Sequence, residues 1–159
     1  MSRGLKFLTA VGMFFFAANA EAINPFGLPF GATKEPVLKA IELMQLGTTR
    51  WVGGSLIIQA QDDPRHSYLL NFCQEKLYSV SQTFPNSFDK MAGFVEISVR
   101  DYGQPVIVSA YGVMTDKGFL RPINLYWKID NKTYVRLMQM PDTYAVVYEI
   151  ENSCNKVPN

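Results

Sequence analysis

Histidine and cysteine are scarce in this 159-residue chain: one histidine, His66, and two cysteines, Cys73 and Cys154. That scarcity excludes chemistry. A tetrahedral zinc site takes four nitrogen, sulfur or oxygen ligands, and two cysteines with one distant histidine do not fill it. A histidine base needs a nucleophile and an orienting acid within reach. Cys73 follows His66 by seven residues along what reads as a strand, which sends the two side chains to opposite faces. His66 is therefore expected to be a loop residue. Paired acids are equally thin. Asp62 and Asp63 are neighbours in a turn and point apart, while Glu149 and Glu151 flank a C-terminal strand. Neither pair suggests the facing carboxyl groups that glycoside hydrolysis requires. Asp62-Asp63 and Asp130-Asn131 lack calcium-loop spacing. Phe30-Gly31 belongs to neither GxxxxGK[ST] nor GxGxxG, so it reads as a turn rather than a phosphate cradle.

An excess of charge of one sign is missing too. Lys and Arg total 15 against 14 Asp and Glu, so there is no electrostatic case for nucleic acid, which needs a concentrated basic face. Long hydrophobic runs are absent except for one. Arg3 and Lys6 precede an apolar stretch from Phe7 to Ala18, followed by the small-residue triplets Ala18-Asn19-Ala20 and Ala20-Glu21-Ala22. Positive, then apolar, then small is the order of a secretory signal peptide, expected here at residues 1–22. The run is short of the roughly 20 residues that cross a bilayer. Without that leader, Arg3, Lys6 and Glu21 are lost, leaving 13 basic and 13 acidic residues in a formally neutral chain. No cysteine directly follows the apolar run to carry a lipid, and no later segment is apolar enough to span. The expected location is periplasmic or secreted. In such an oxidising compartment an even cysteine count points to a Cys73–Cys154 disulfide; the alternative is two separate thiols, one of them buried.

What is present is enough for a core: 48% hydrophobic residues, of which aromatics make 13% of the chain. The stretch Ser67–Pro105 organises the rest. Alternation through Tyr68–Cys73, the polar Gln74-Glu75-Lys76 and renewed strand composition through Leu77–Phe84 predict a hairpin. Pro85-Asn86-Ser87 ends it and offers an N-cap. Phe88, Met91, Ala92, Val95, Val99 and Tyr102 then fall at helical spacing, closed by Gly103 and Pro105. Upstream, Phe26, Leu28 and Phe30 are expected to pack on the core. Thr33 should cap a first helix that Gly47 ends, with Val37, Ala40, Ile41 and Met44 as its stripe. A loop holding Trp51 and Gly53-Gly54 leads to a strand over Ser55–Gln61. Downstream all is β: Val106–Met114, then Ile123–Ile129, Thr133–Met140 and Tyr144–Ile150. Asn131-Lys132-Thr133 is formally a glycosylation sequon, for which a hairpin turn is sufficient reason.

The resulting class is α+β in one domain, residues 23–159, with two helices packed on one face of an antiparallel sheet. Helix-then-strands occurs twice, over 28–84 and 85–150, and the order reads as a tandem α-then-β repeat. Phe30-Gly31-Ala32-Thr33 with a helix closing at Leu46-Gly47, the strand pair Tyr68–Val80 and the helix exit Tyr102-Gly103-Gln104-Pro105 resemble the SmpA/BamE outer-membrane assembly lipoproteins. In tandem form they resemble the β-lactamase inhibitor protein fold. That resemblance implies a helix-plus-sheet module of the envelope that binds another protein and has no catalytic residues or cofactor. The lipid-carrying cysteine of those lipoproteins has no counterpart here.

The expected function is thus non-enzymatic protein binding through a sheet face. The alternatives are a small-ligand carrier with a pocket between helices and sheet, or an enzyme of unrecognised type. Tyr126, Tyr134, Met138, Met140, Tyr144 and Tyr148 supply large contact side chains to the last strands. On the strand at Ile123, Leu125 and Trp127 should face the core, while Asn124, Tyr126 and Lys128 form the outward, partner-binding parity with Tyr126 as the anchor. The leader yields the first prediction. Protein recovered from an expressing bacterium should begin at Glu21 or Ile23 by N-terminal sequencing, and an intact Met1 on exported protein would contradict the assignment.

Overall fold

The computed structural model describes residues 24–61, 63–110, 112–115, 118–120 and 122–154. The leader expected at residues 1–22 lies outside them. In chain order the elements are α1 (Lys34–Met44), β1 (Gly47–Val52), β2 (Ser55–Ala60), β3 (Ser67–Cys73), β4 (Lys76–Pro85), α2 (Phe88–Tyr102), β5 (Ile107–Ala110), β6 (Val113–Thr115), β7 (Gly118–Leu120), β8 (Ile123–Lys128), β9 (Thr133–Gln139) and β10 (Thr143–Ile150). Eight strands form one antiparallel sheet in the order β1-β2-β3-β4-β10-β9-β8-β5, and β6 and β7 make a separate ribbon. The strands after each helix fill one half of the sheet, and the halves meet where β4 pairs with β10.

Residues paired across antiparallel strands share a face. Leu70 pairs with Val80, Val80 with Tyr148, Tyr148 with Val135 and Val135 with Trp127. This row runs along the face that carries the helices. At one end Val37 and Ile41 of α1 cluster with Leu56, Ile58, Leu70, Leu77 and Val80, with Leu28 also buried there and Phe26 and Phe30 alongside. At the other, Met91, Phe94, Val95 and Val99 of α2 pack on Trp127, Val135, Leu137, Tyr144 and Val146. The α+β class holds, but the sheet is the dominant element. The helices do not form a two-helix layer over it; each covers its own end through its own cluster.

Local chemistry explains the elements. Ser87 caps α2 by accepting from the Lys90 N–H, and Gly103 closes it at φ 83°. The Gly103 carbonyl then accepts from Trp127 Nε1 at 3.1 Å, tying the helix exit to the core. The Cys73–Cys154 disulfide is formed and spans 81 residues. Closing so long a loop is worth about 4 kcal/mol in the chain-entropy account.

Four expectations change. Thr33 stands at the N-cap of α1, but its side chain makes no capping bond. Gly47 does not end that helix, because Gln45 does so in the left-handed conformation at φ 49°. Gly47 instead opens β1, where a Cβ would lie 1.9 Å from the Gln59 carbonyl oxygen, so the close approach of β2 requires glycine. The loop at Trp51 is strand β1, turned into β2 by Gly53 and Gly54, both at positive φ as a tight hairpin demands. The single strand over Val106–Met114 is broken in two: β5 pairs with β8, while Val113–Thr115 pairs with β7.

Trp127, fully buried beneath α2 and edge-on to Phe94 at 6.0 Å, sets the second prediction. Trp127→Ala should cost about 3–5 kcal/mol in urea unfolding. The exposed neighbour changed in Lys128→Ala should stay within about 0.5 kcal/mol.

Candidate functional site

The face turned away from the helices is built from the other parity. Across the central strands its floor is made of short side chains, Ser79, Ser81 and Thr83 from β4 with Ala145 and Val147 from β10. Longer ones rise on either side: Ile57 and Leu69 from β2 and β3, and Arg136 and Met138 from β9. Short between long makes a trough of about 400 Å³, which also takes in Ser67, Asn71, Tyr78 and Glu149. Hydroxyl and amide groups line the β3–β4 side. Ser55 Oγ donates to Asn71 Oδ1 at 2.7 Å, and Asn71 Nδ2 donates to Ser79 Oγ at 3.5 Å.

The charge in the trough is a pair. Glu149, only 5% exposed, lies opposite Arg136, with the carboxylate oxygen 3.7 Å from Nε. That separation is an ion pair without a hydrogen bond. Arg136 Nε has no acceptor, while Nη1 donates to the Tyr126 hydroxyl at 3.3 Å and the guanidinium sits 5.5 Å over the Tyr126 ring. Burial, and then the charge of Glu149, push the Tyr78 phenol above its ordinary pKa. Tyr78 thus stays a neutral donor in the lining of the trough.

The expected partner-binding residues are placed as follows. Asn124, Tyr126 and Lys128 share the helix-free parity, since Tyr126 pairs with Arg136 and Lys128 with Tyr134. Their exposure differs from expectation, and only Lys128 is open. Tyr126 is 6% exposed because Arg136 covers it, so it supports the ion pair instead of presenting an anchor. Asn124 is fully buried, with neither its oxygen nor its nitrogen hydrogen-bonded. The Tyr and Met side chains of the last strands divide between the faces. Met138 lines the trough, and Tyr144 and Tyr148 belong to the α2 cluster.

His66 lies between β2 and β3 as expected, half-buried against Tyr68 and Phe84 at 5.0 and 5.1 Å, with Gln82 Nε2 3.1 Å from its ring nitrogen. Phe84 stacks in turn on Tyr144. Beside that row, Phe84, Phe94, Ile97, Tyr144 and Tyr148 line a second groove of about 350 Å³ along α2. Among the described residues no group of three or more His, Cys, Asp or Glu side chains is placed to hold a metal, and no helix is long and apolar enough to cross a membrane.

Sequence reasoning missed Arg136, Glu149 and the β4 serines. The signal available was parity: Ser79, Ser81 and Thr83 alternate with Val80, Gln82 and Phe84. Pairing them with β10 required knowing which strands meet at the middle of the sheet. No protein-family model matches this chain, and no curated protein or solved structure matches it.

The buried pair gives the third prediction. Arg136→Met takes the guanidinium away from the buried Glu149 carboxylate and should cost about 3–5 kcal/mol. Adding Glu149→Leu should recover much of that loss in chemical denaturation, because the buried charge is removed with it. A double variant as unstable as the sum of the two single variants would show that the two residues do not act on each other.

Proposed function

We propose that this chain is an exported, non-enzymatic binding module that holds another envelope protein in the trough on the helix-free face of its sheet. The observation that carries the reading is the combination of a concave floor of short side chains with a desolvated Arg136–Glu149 pair in its wall. Both helices and most of the large buried side chains serve the other face. The trough residues have no such packing role, and Ser79 and Ser81 lie at the centre of the sheet where aliphatic side chains would fill space better. The balance of charge favours recognition by shape and hydrogen bonding over long-range attraction. The resemblance to the SmpA/BamE and β-lactamase inhibitor protein folds enters here as part of the proposal. The order helix-then-antiparallel-strands, occurring twice about the β4–β10 junction, supports reading the chain as a tandem repeat of that kind.

A second reading, a carrier of a small apolar ligand, is favoured by the groove along α2, where aromatic rings and the half-exposed Ile97 line the space. One experiment separates the two. A photo-crosslinking amino acid placed at Ser67, on the trough, should give a protein adduct in intact cells. The same probe at the exposed Lys39 of α1 should give none. Adducts from Ile97 and none from Ser67 would transfer the function to the groove.

A further inference from the structure

The sheet ends at β1, and that edge is bare. The strand is outermost, residues 48–52 are exposed, and no described strand pairs with its far side. The parity of the ladder says which groups are left over. The Ala60 N–H donates to the His66 carbonyl on the β3 side, so Leu56, Ile58 and Ala60 turn their backbone groups to β3. Ser55, Ile57 and Gln59 turn theirs to β1. Through the register, Thr48, Arg50 and Val52 take the bonds to β2, while Gly47, Thr49 and Trp51 point N–H and C=O groups outward. Sheet edges are usually blunted by proline, lysine or a bulge. β1 reads GTTRWV, and its six pairs to β2 run without a bulge.

From this we infer that β1 pairs with β1 of a second copy of the chain, antiparallel about a two-fold axis at Thr49. The strand is its own complement in that register. Thr49 meets Thr49, Arg50 meets Thr48 and Trp51 meets Gly47, so the outward groups bond one another across the axis. On the helix-bearing face two threonines lie opposite each other, a favourable cross-strand pair. There Trp51, in ring contact with Phe72 yet 45% exposed, meets a glycine with no side chain in its way. On the other face, where Arg50 pairs with Ile57 of the trough wall, each arginine stands opposite a threonine. Centring on Arg50 instead would set two like charges directly opposite, which is destabilising. Pairing of β1 with β5, the other edge, would leave one edge free on every added chain and never close, whereas β1 with β1 closes at two. The two-fold stands perpendicular to the sheet. Both troughs therefore open on the same side, whatever they hold, and a partner with two epitopes is gripped twice.

The test is sedimentation equilibrium of the disulfide-bonded protein from about 10 µM to about 1 mM, the range of a small interface. The average mass should climb from one chain towards two and level there. Thr49→Pro removes the outward N–H at the axis and spares the bonds to β2, so this variant should stay at one chain with an unchanged far-ultraviolet spectrum. A second pair of variants reads the same axis without proline. Thr49→Glu and Thr49→Lys, each alone, put like charges face to face and should raise the dissociation constant at least about tenfold, and mixing the two should restore the dimer. A single-chain mass throughout for the unaltered protein, growth beyond two chains, or a Glu and Lys mixture that associates no better than either variant alone would each overturn the assignment.

Discussion

The pairing of β4 with β10 is the constraint on which the rest of the molecule depends. From Thr143↔Pro85 to Glu149↔Ser79 it joins two halves that otherwise hold together through their own strands and their own helix. Each half alone is a four-stranded sheet with one helix on it and a raw edge at β4 or β10, rows of unpaired N–H and C=O groups exposed to water. Joined, they hide both edges at once and place the two hydrophobic clusters on one continuous face. The trough exists only because of this junction, since its floor is drawn from both strands.

Much of this was readable from the residues, and the boundary of legibility is physical. α2 announced itself through Ser87, a stripe at helical spacing and Gly103, because caps and periodicity are local. The parity of β8 was readable for the same reason, and Trp127 does face the core. β1 was not. As an outer strand of Thr, Arg and Trp with most of its residues exposed, it has no buried face to impose alternation. The hairpin at Gln74-Glu75 was read correctly, though it uses two left-handed residues without glycine or asparagine. There Lys34, at the start of α1, reaches Glu75 at 2.7 Å, a contact that sequence distance conceals.

The site was the least legible part. Asn124, Tyr126 and Lys128 were assigned to the helix-free face on parity, and parity was right. Exposure is a different quantity, set by what stands on the neighbouring strand, and Arg136 stands over Tyr126. Arg136 and Glu149 belong to strands whose alternation is mostly apolar, so each alone looks like a solvated charge. Only the β9–β10 register, Val147↔Arg136 and Glu149↔Tyr134, brings them side by side. Asn124 carries a further cost of the same kind: a buried amide without partners forfeits about 1–3 kcal/mol relative to a satisfied one.

The disulfide bears on the order in which this architecture can assemble. β4 and β10 are distant in the chain, and bringing them together unaided means closing a loop that contains all of α2 and the strands β5 to β9. Such non-local closure slows folding and leaves two sheet edges open meanwhile. Cys73 immediately precedes the turn into β4, and Cys154 follows shortly after β10 ends. Once these two are bonded, Ser79 and Glu149 are separated through the crosslink by only about a dozen residues, and their meeting becomes as local as that of a hairpin. The covalent link therefore turns the longest-range event in the topology into a short-range one, and oxidation of the two thiols becomes a folding factor for the sheet as much as a source of stability for the finished protein.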